Sequence, residues 1–363
     1  MKNNEQKLIS PFAINGCEVK NRCVSKVRLD EGVTTFSGMF TTHTMEYYER
    51  RAEEGVGMIV TGNQSSEMYA PRQDLTDYPS GAEMTEYIQR LKKMVERVHR
   101  FGTKVFAGVN TSFSSALPGF LLIRRIDESK NNVREDKVVT LNSYAEEDQA
   151  IDEYVRLATV ARIVGFDGIQ VDLTPFTNGN RKPEFVMDSS FNKITNLQGE
   201  IRERIAFANK VVEAIKIVCG DDFPVMLNIR IDDKFIAATQ SARSLEKAWS
   251  DYNGVERVLE GVSELELAGF DAFNVDLTAS SMKFESSNDY LLKRNLVLIN
   301  KIKQQVSVPV ILEAFKEQKE LAKKVLHKGF VDAIGVEDSY LLRHDHPSAQ
   351  DTVYDHYSNY WIA

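Results

Sequence analysis

No stretch of this chain approaches the roughly 20 consecutive apolar residues that a membrane span requires. Basic charge is also in deficit: 53 acidic residues against 45 lysines and arginines give a net charge of −8. Nucleic acid and anionic membranes both demand a basic face, so neither is expected as a partner. Cysteine is scarce, with Cys17, Cys23 and Cys219 scattered and odd in number. That spacing builds no disulfide framework, metal site or iron–sulfur cluster, and reads as three free thiols. The start, MKNNEQKLISPF, lacks an apolar signal core and reads as a mature cytoplasmic protein. No linker or low-complexity tract divides the 363 residues, so residues 1–363 read as a single domain.

What is present is a phrase stated twice. Gly165 to Thr174 reads GFDGIQVDLT and Gly269 to Thr278 reads GFDAFNVDLT, 104 residues apart. Each copy enters a short apolar strand through a Gly-Phe-Asp corner that ends a helix, and leaves it on a carboxylate, Asp172 or Asp276. A strand after a helix, with its polar residue at the carboxyl end, is the unit of a parallel α/β fold.

The same alternation runs along the chain. The segment CEVKNRCVSKVRL is the first strand candidate; EYYERRAEEG, a charged amphipathic helix, leads into the apolar VGMIVTG. IQRLKKMVERVHRFG places Leu91, Met94, Val95 and Val98 at helical spacing before the strand KVFAGVN. Further helix–strand pairs end in PVMLNIRID, VPVILEAF and VDAIGVED. The count reaches about eight, that of a (β/α)8 TIM barrel, whose strand ends collect at one mouth where active sites lie. A doubly wound open sheet is the alternative. Two long loops are expected over the mouth, at about 112–143 and 175–197, and the aromatic tail YDHYSNYWIA reads as a docked cap.

In such a barrel the mouth carries Lys26, Arg28, Asp30, Asn63, Asn110, Asp172, Arg230, Asp232, Asp276, Glu313, Glu337 and Asp338. Two carboxylates beside a lysine suit proton abstraction and return, which makes Asp172, Asp276 and Lys26 the catalytic candidates. Asp172, Asp276 and Glu313 are also oxygen ligands of the type that holds Mg²⁺ or Mn²⁺, but without a known spacing motif no metal is assigned. The bland alternative for every one of them is a structural ion pair. His344 and His346 read as a solvated turn, His43 as a cap or surface residue, and His99 as helix packing.

Several phrases together resemble the old yellow enzyme family of FMN-dependent NAD(P)H:flavin oxidoreductases. SPFAINGCEVKNRCV is similar to its first-strand phrase, YYERRAEEGVGMIVTG to its second-strand approach, and GFDGIQVDL to the phrase before its active-site pair. NKITNLQGEIRERIAF keeps Asn192, Thr195, Gly199, Arg204 and Phe207 of a family signature, and GDDFPVMLNIRID is close to the phrase ending in the family's flavin-contacting arginine, here Arg230. The resemblance runs from Ser10 to about Leu342 and implies a TIM barrel, FMN and reduction by NAD(P)H.

At the matching contact positions the residues differ. Val27 and Arg28 stand at the turn that packs on the flavin, Gly108 at the glutamine that bonds its pyrimidine, and Asp172 and Pro175 at the paired histidines. Ala314-Phe315 and Glu337-Asp338 stand where Gly-Gly and Gly-Arg would cradle the phosphate. A cradle needs close backbone N–H groups and a cation. One carboxylate at about 5 Å from a phosphate charge costs roughly 3 kcal/mol at an effective dielectric of 20. The family's FMN positions are therefore Arg230, Arg28, Asn63 and Gly108, with binding expected to be weak or lost. Three functions stay open: an FMN ene-reductase, a flavin-free acid–base enzyme or binding protein for a small polar molecule, or a silent partner subunit. An anion is the expected ligand, because Arg28 and Arg230 present planar forks, and homo-oligomerisation is left open.

Overall fold

The computed structural model describes residues 7–26, 42–61, 81–110, 144–173, 186–187, 198–231, 253–276, 298–314 and 319–336. Two short strands, β1 (Phe12–Ile14) and β2 (Cys17–Val19), form an antiparallel hairpin. Its turn is Asn15-Gly16, both at positive φ (44° and 77°), a pair suited to a two-residue hairpin loop. The stretch expected as one first strand is therefore split. Cys17–Val19 belongs to the hairpin, and the first barrel strand is β3 (Cys23–Lys26). The break falls at Asn21, whose side chain accepts from the Cys23 backbone N–H and donates to Gly55 O.

From β3 the chain alternates. Helix α1 (Thr42–Glu53) leads to β4 (Met58–Val60), and α2 (Gly81–His99) to β5 (Lys104–Asn110). Then α3 (Tyr144–Val164) leads to β6 (Gly168–Asp172), and α4 (Gln198–Cys219) to β8 (Val225–Ile231). Helix α5 (Asn253–Ala268) leads to β9 (Ala272–Asp276), and a helical run over 298–305, α6, leads to β10 (Val310–Ala314). Finally α7 (Lys319–Lys328) leads to β11 (Ala333–Val336). Eight strands pair in parallel in the order β3-β4-β5-β6-β8-β9-β10-β11, and β11 pairs back onto β3. The sheet is closed, and Asp172 and Asp276 end the fourth and sixth barrel strands. The two-residue strand β7 (Val186–Met187) adds to β8 at Arg230 and Ile231, inside the segment expected to be loop.

The period-2 alternation of the strands sorts their side chains into two cores. Ile59, Val105, Val109, Ile169, Val171, Leu227, Phe273 and Leu312 face outward, onto helix residues such as Tyr48, Leu91, Tyr154 and Val211. Val24, Met58, Val60, Phe106, Met226, Ala272, Ile311 and Ala333 face inward and pack with Ile14 and Val19 of the hairpin, which plugs the amino-terminal end of the barrel. The barrel is thus a filled core at its base. The inward positions above this layer are polar.

The Gly-Phe-Asp corner has a structural purpose. Gly165 and Gly269 sit at φ 100° and 118°, a left-handed conformation that ends a helix cheaply only without a Cβ. The aspartate then clamps the start of the preceding strand at two points. Asp167 N–H donates to Val105 O (2.9 Å), while its carboxylate accepts from Val105 N–H (2.8 Å). Asp271 does the same with Val225, both at 2.8 Å. Asp332 repeats it with Val310, again at 2.8 Å both ways, in a third copy (Gly329-Phe330-Val331-Asp332) lengthened by one residue. A lysine neutralises each: Lys104 at 2.9 Å, Lys216 at 2.6 Å and Lys303 at 2.8 Å. His99 also reaches Asp167 at 2.7 Å, so it serves this clamp instead of packing within its helix as expected. The histidine lies at the end of α2, where the strand starts converge, and this is why its ring finds a carboxylate.

Candidate active site

Two residues above the apolar inner layer, β3 brings Lys26 and β10 brings Glu313 into the barrel interior. Lys26 Nζ donates to Glu313 Oε2 at 2.7 Å, with side-chain exposures of 11% and 1%. Strand β11 lies between β3 and β10 and presents Gly335, in register with both Glu313 and Val24, so no side chain intervenes. Asn274 of β9 donates its amide to the same Glu313 oxygen at 3.0 Å and to Asn228 Oδ1 of β8 at 2.6 Å. Four strands thus contribute to one buried polar chain, Asn228–Asn274–Glu313–Lys26. Asp172 and Asp276, the strand-end carboxylates, are buried above it.

Burial alone would lower the Lys26 ammonium, but the adjacent Glu313, followed by Asp172 and Asp276, holds it above the ordinary lysine range. Glu313 is pushed above the usual carboxylate range, first by burial and then by Asp276, against the pull of Lys26 and Asn274. Among the described residues, Lys26 thus faces three acids, Glu313, Asp172 and Asp276. Its field couples the sequence candidates Lys26, Asp172 and Asp276, which the barrel does bring together. Among the described residues no group of three or more acids, histidines or cysteines could hold a metal ion. Glu313, the third oxygen ligand considered, is committed to Lys26.

Tyr154 on α3 is a residue the sequence reading passed over. It is fully buried and its hydroxyl donates to Asp172 O at 2.9 Å, tying the end of β6 to the helix layer. The only signal in the sequence was a tyrosine on the inner stripe of an amphipathic helix, which reads as core. Asn228, Asn274 and Gln170 were also passed over, although Gln170 and Asn274 hold the same inward position of the repeated strand phrase.

Among the flavin positions, Gly108 lies within β5, its N–H donating to Thr61 Oγ1 at 3.1 Å. Arg230 stands in β8 in register with Asp276; only its strand position is described. Arg28, Asn63, Pro175, Phe315, Glu337, Asp338, His344 and His346 lie outside the described residues, as do most of the two long segments and the tail. None of the three cysteines forms a disulfide, and Cys23 and Cys219 are buried. Burial pushes the Cys17 thiol up to about 11, which leaves it a poor nucleophile. No described helix is long and apolar enough to cross a membrane.

A closed parallel barrel with its polar side chains gathered toward the carboxyl ends of the strands is the frame of many enzymes. The fold is shared with the old yellow enzyme from Trypanosoma cruzi (TM-score 0.58, 15% identity, covering 91% of this chain and 88% of that one). It is shared also with 2-naphthoyl-CoA reductase (TM-score 0.61, 16% identity, covering 93% and 51%). The chain belongs to the NADH:flavin oxidoreductase / NADH oxidase family, whose profile matches residues 7–337. It is similar to the cinnamate reductase of Clostridium sporogenes, 28% identical over 344 residues, 93% of this chain and 51% of that protein. It is similar too to the NADH oxidase of Thermoanaerobacter brockii, 22% identical over 350 residues, 91% and 48% respectively. The chain spans about half the length of these two relatives.

Proposed function

We propose that this chain is a family member whose barrel mouth has turned from flavin chemistry to proton transfer on a small polar molecule. The observation that carries the reading is the buried Lys26–Glu313 pair with Asn274 and Asn228, overlaid by Asp172 and Asp276. The described residues fit FMN poorly. Gly108 offers no side-chain amide to a pyrimidine ring. The three acids described around Lys26 disfavour a flavin that gains negative charge near N1 when reduced.

The same groups suit abstraction of a proton next to a carbonyl. The Asp172 or Asp276 carboxylate takes the proton from carbon. The electron pair moves onto the carbonyl oxygen, and the Lys26 ammonium, held charged, stabilises that oxygen by hydrogen bonding. Return of the proton to carbon completes the cycle with no oxidant or reductant. Arg28 and Arg230 supply the grip for an acidic group of the ligand.

The test is exchange of carbon-bound hydrogen in deuterium oxide, followed by mass spectrometry over a panel of keto and hydroxy acids, with neither flavin nor nicotinamide added. The reading expects label uptake that Asp172→Asn and Asp276→Asn each reduce by about 10²-fold or more. Label uptake absent across the panel, with turnover appearing once FMN and NAD(P)H are supplied, overturns it. The second reading, an FMN-dependent NAD(P)H reductase, is favoured by the family itself and by the reductase names among the relatives.

A further inference from the structure

One buried side chain in the barrel interior takes no part in the network described above. Gln170 lies at the centre of β6, at an inward position between the outward Ile169 and Val171. It is 0% exposed, and neither its amide nitrogen nor its amide oxygen has a hydrogen-bond partner among the described residues. A buried primary amide left unpaired at both ends is costly, and native cores rarely keep one. Its register partner on one side is Gly108 of β5, which has no side chain, and on the other Met226 of β8, which has no strong hydrogen-bonding group. Neither neighbour can satisfy the amide. Glu313 Oε1 of the same interior also has no hydrogen-bond partner among the described residues, its twin oxygen being taken by Lys26 and Asn274.

We propose that Gln170 is a specificity-determining residue that reads the amide edge of a small lactam or carboxamide. Such an edge carries one N–H donor beside one carbonyl acceptor. Both are needed at once by a glutamine amide, which offers the mirror pair, C=O and N–H. Gly108 puts no side chain beside Gln170, and Glu313 Oε1 of the same interior is a further acceptor for an N–H. A carboxylate satisfies only the donor half of the amide, so this subsite takes the neutral amide group of a ligand whose acidic group is held elsewhere. This proposal rests on the ligand-binding reading above and names the class of ligand it takes. The lactam edge can come from a free small heterocycle or from a flavin ring, and the test separates the two.

The experiment is calorimetric titration and thermal melting of the full chain with uracil and nicotinamide as probes. Their N-methylated counterparts, 1,3-dimethyluracil and N,N-dimethylnicotinamide, serve as controls, and FMN is a separate arm. Uracil or nicotinamide is expected to bind at least tenfold more tightly than its methylated counterpart, and Gln170→Leu to abolish that preference. Because Gln170→Leu removes an unpaired buried amide, the ligand-free variant is expected to melt at the same temperature as the parent or higher. Equal binding of methylated and unmethylated probes overturns the proposal. So does Gln170→Leu melting lower while the preference persists, since the amide then serves the fold. If FMN alone shows a Gln170-dependent gain, the lactam edge that Gln170 reads is the flavin's, and the flavin-free function fails. If uracil or nicotinamide binds as expected but no deuterium exchange is found, only the catalytic reading fails.

Discussion

Replacing Lys26 by methionine probes the network at its most exposed link. The substitution keeps the volume of the side chain and removes the ammonium 2.7 Å from Glu313 Oε2. Glu313, 1% exposed and with its Oε1 already unpartnered, is left with Asn274 as its donor. Breaking one side of a buried pair typically costs about 3–5 kcal/mol, whereas replacing both sides by neutral groups of similar size is often close to neutral. Lys26→Met should therefore lose about 3–5 kcal/mol in urea unfolding at pH 8, and Lys26→Met/Glu313→Gln should lose less than the single variant. The pH dependence has a definite sign. Glu313 is raised above its unfolded value, near 4.3, by burial first, and removing Lys26 takes away a charge that opposed the rise. Between the unfolded and folded values the native state binds the extra proton, so stability falls as pH rises through that window. The single variant should then be closer to the parent at pH 5 than at pH 8. Losses under about 1 kcal/mol that add in the double variant, with no pH dependence, would refute a buried, coupled pair.

The clamps give further tests. Asp271→Ala leaves the Val225 N–H and the Lys216 ammonium without their carboxylate and should cost about 2–3 kcal/mol, while Arg90→Ala, in an exposed helical pair, should stay within about 0.5 kcal/mol. Asp167 is held below the ordinary carboxylate range: burial would raise it, but His99, Lys104 and the Val105 N–H outweigh that. Its contribution is present above the unfolded value and lost as pH falls through the folded one, so His99→Ala should move this acid-side loss to higher pH in a thermal-melt series. A Cβ on Gly57 would lie 2.4 Å from Asn21 O and 2.6 Å from Asn21 Oδ1, so Gly57→Ala should destabilise by about 1–3 kcal/mol in denaturant titration.

The barrel was legible because its signals are local. A corner that needs left-handed glycine, a two-residue alternation and a polar strand end each occupy ten residues, as Gly165–Thr174 and Gly269–Thr278 do. The third clamp, at Asp332, escaped notice because Val331 lengthens the corner by one residue and breaks the phrase. The hairpin escaped although Asn15-Gly16 is a strong turn signal, because the apolar pattern runs on from Cys17 to Val27 as if it were one strand. At the site, Asp172 and Asp276 could be placed at strand ends, but the pairing of Lys26 with Glu313 spans 287 residues. It depends on closing β11 onto β3, a register that no local pattern encodes. Gly335 was the available hint, a glycine at an inward position of a strand, which marks a close approach.

The central claim is tested most directly by the visible absorption spectrum of the full chain, purified and then incubated with micromolar FMN and desalted. The account predicts a colourless protein with no flavin band before or after incubation, consistent with Gly108 and the three acids described around Lys26. A stoichiometric flavin band, either as isolated or after incubation, would contradict it and return the chain to the reductase chemistry of its family.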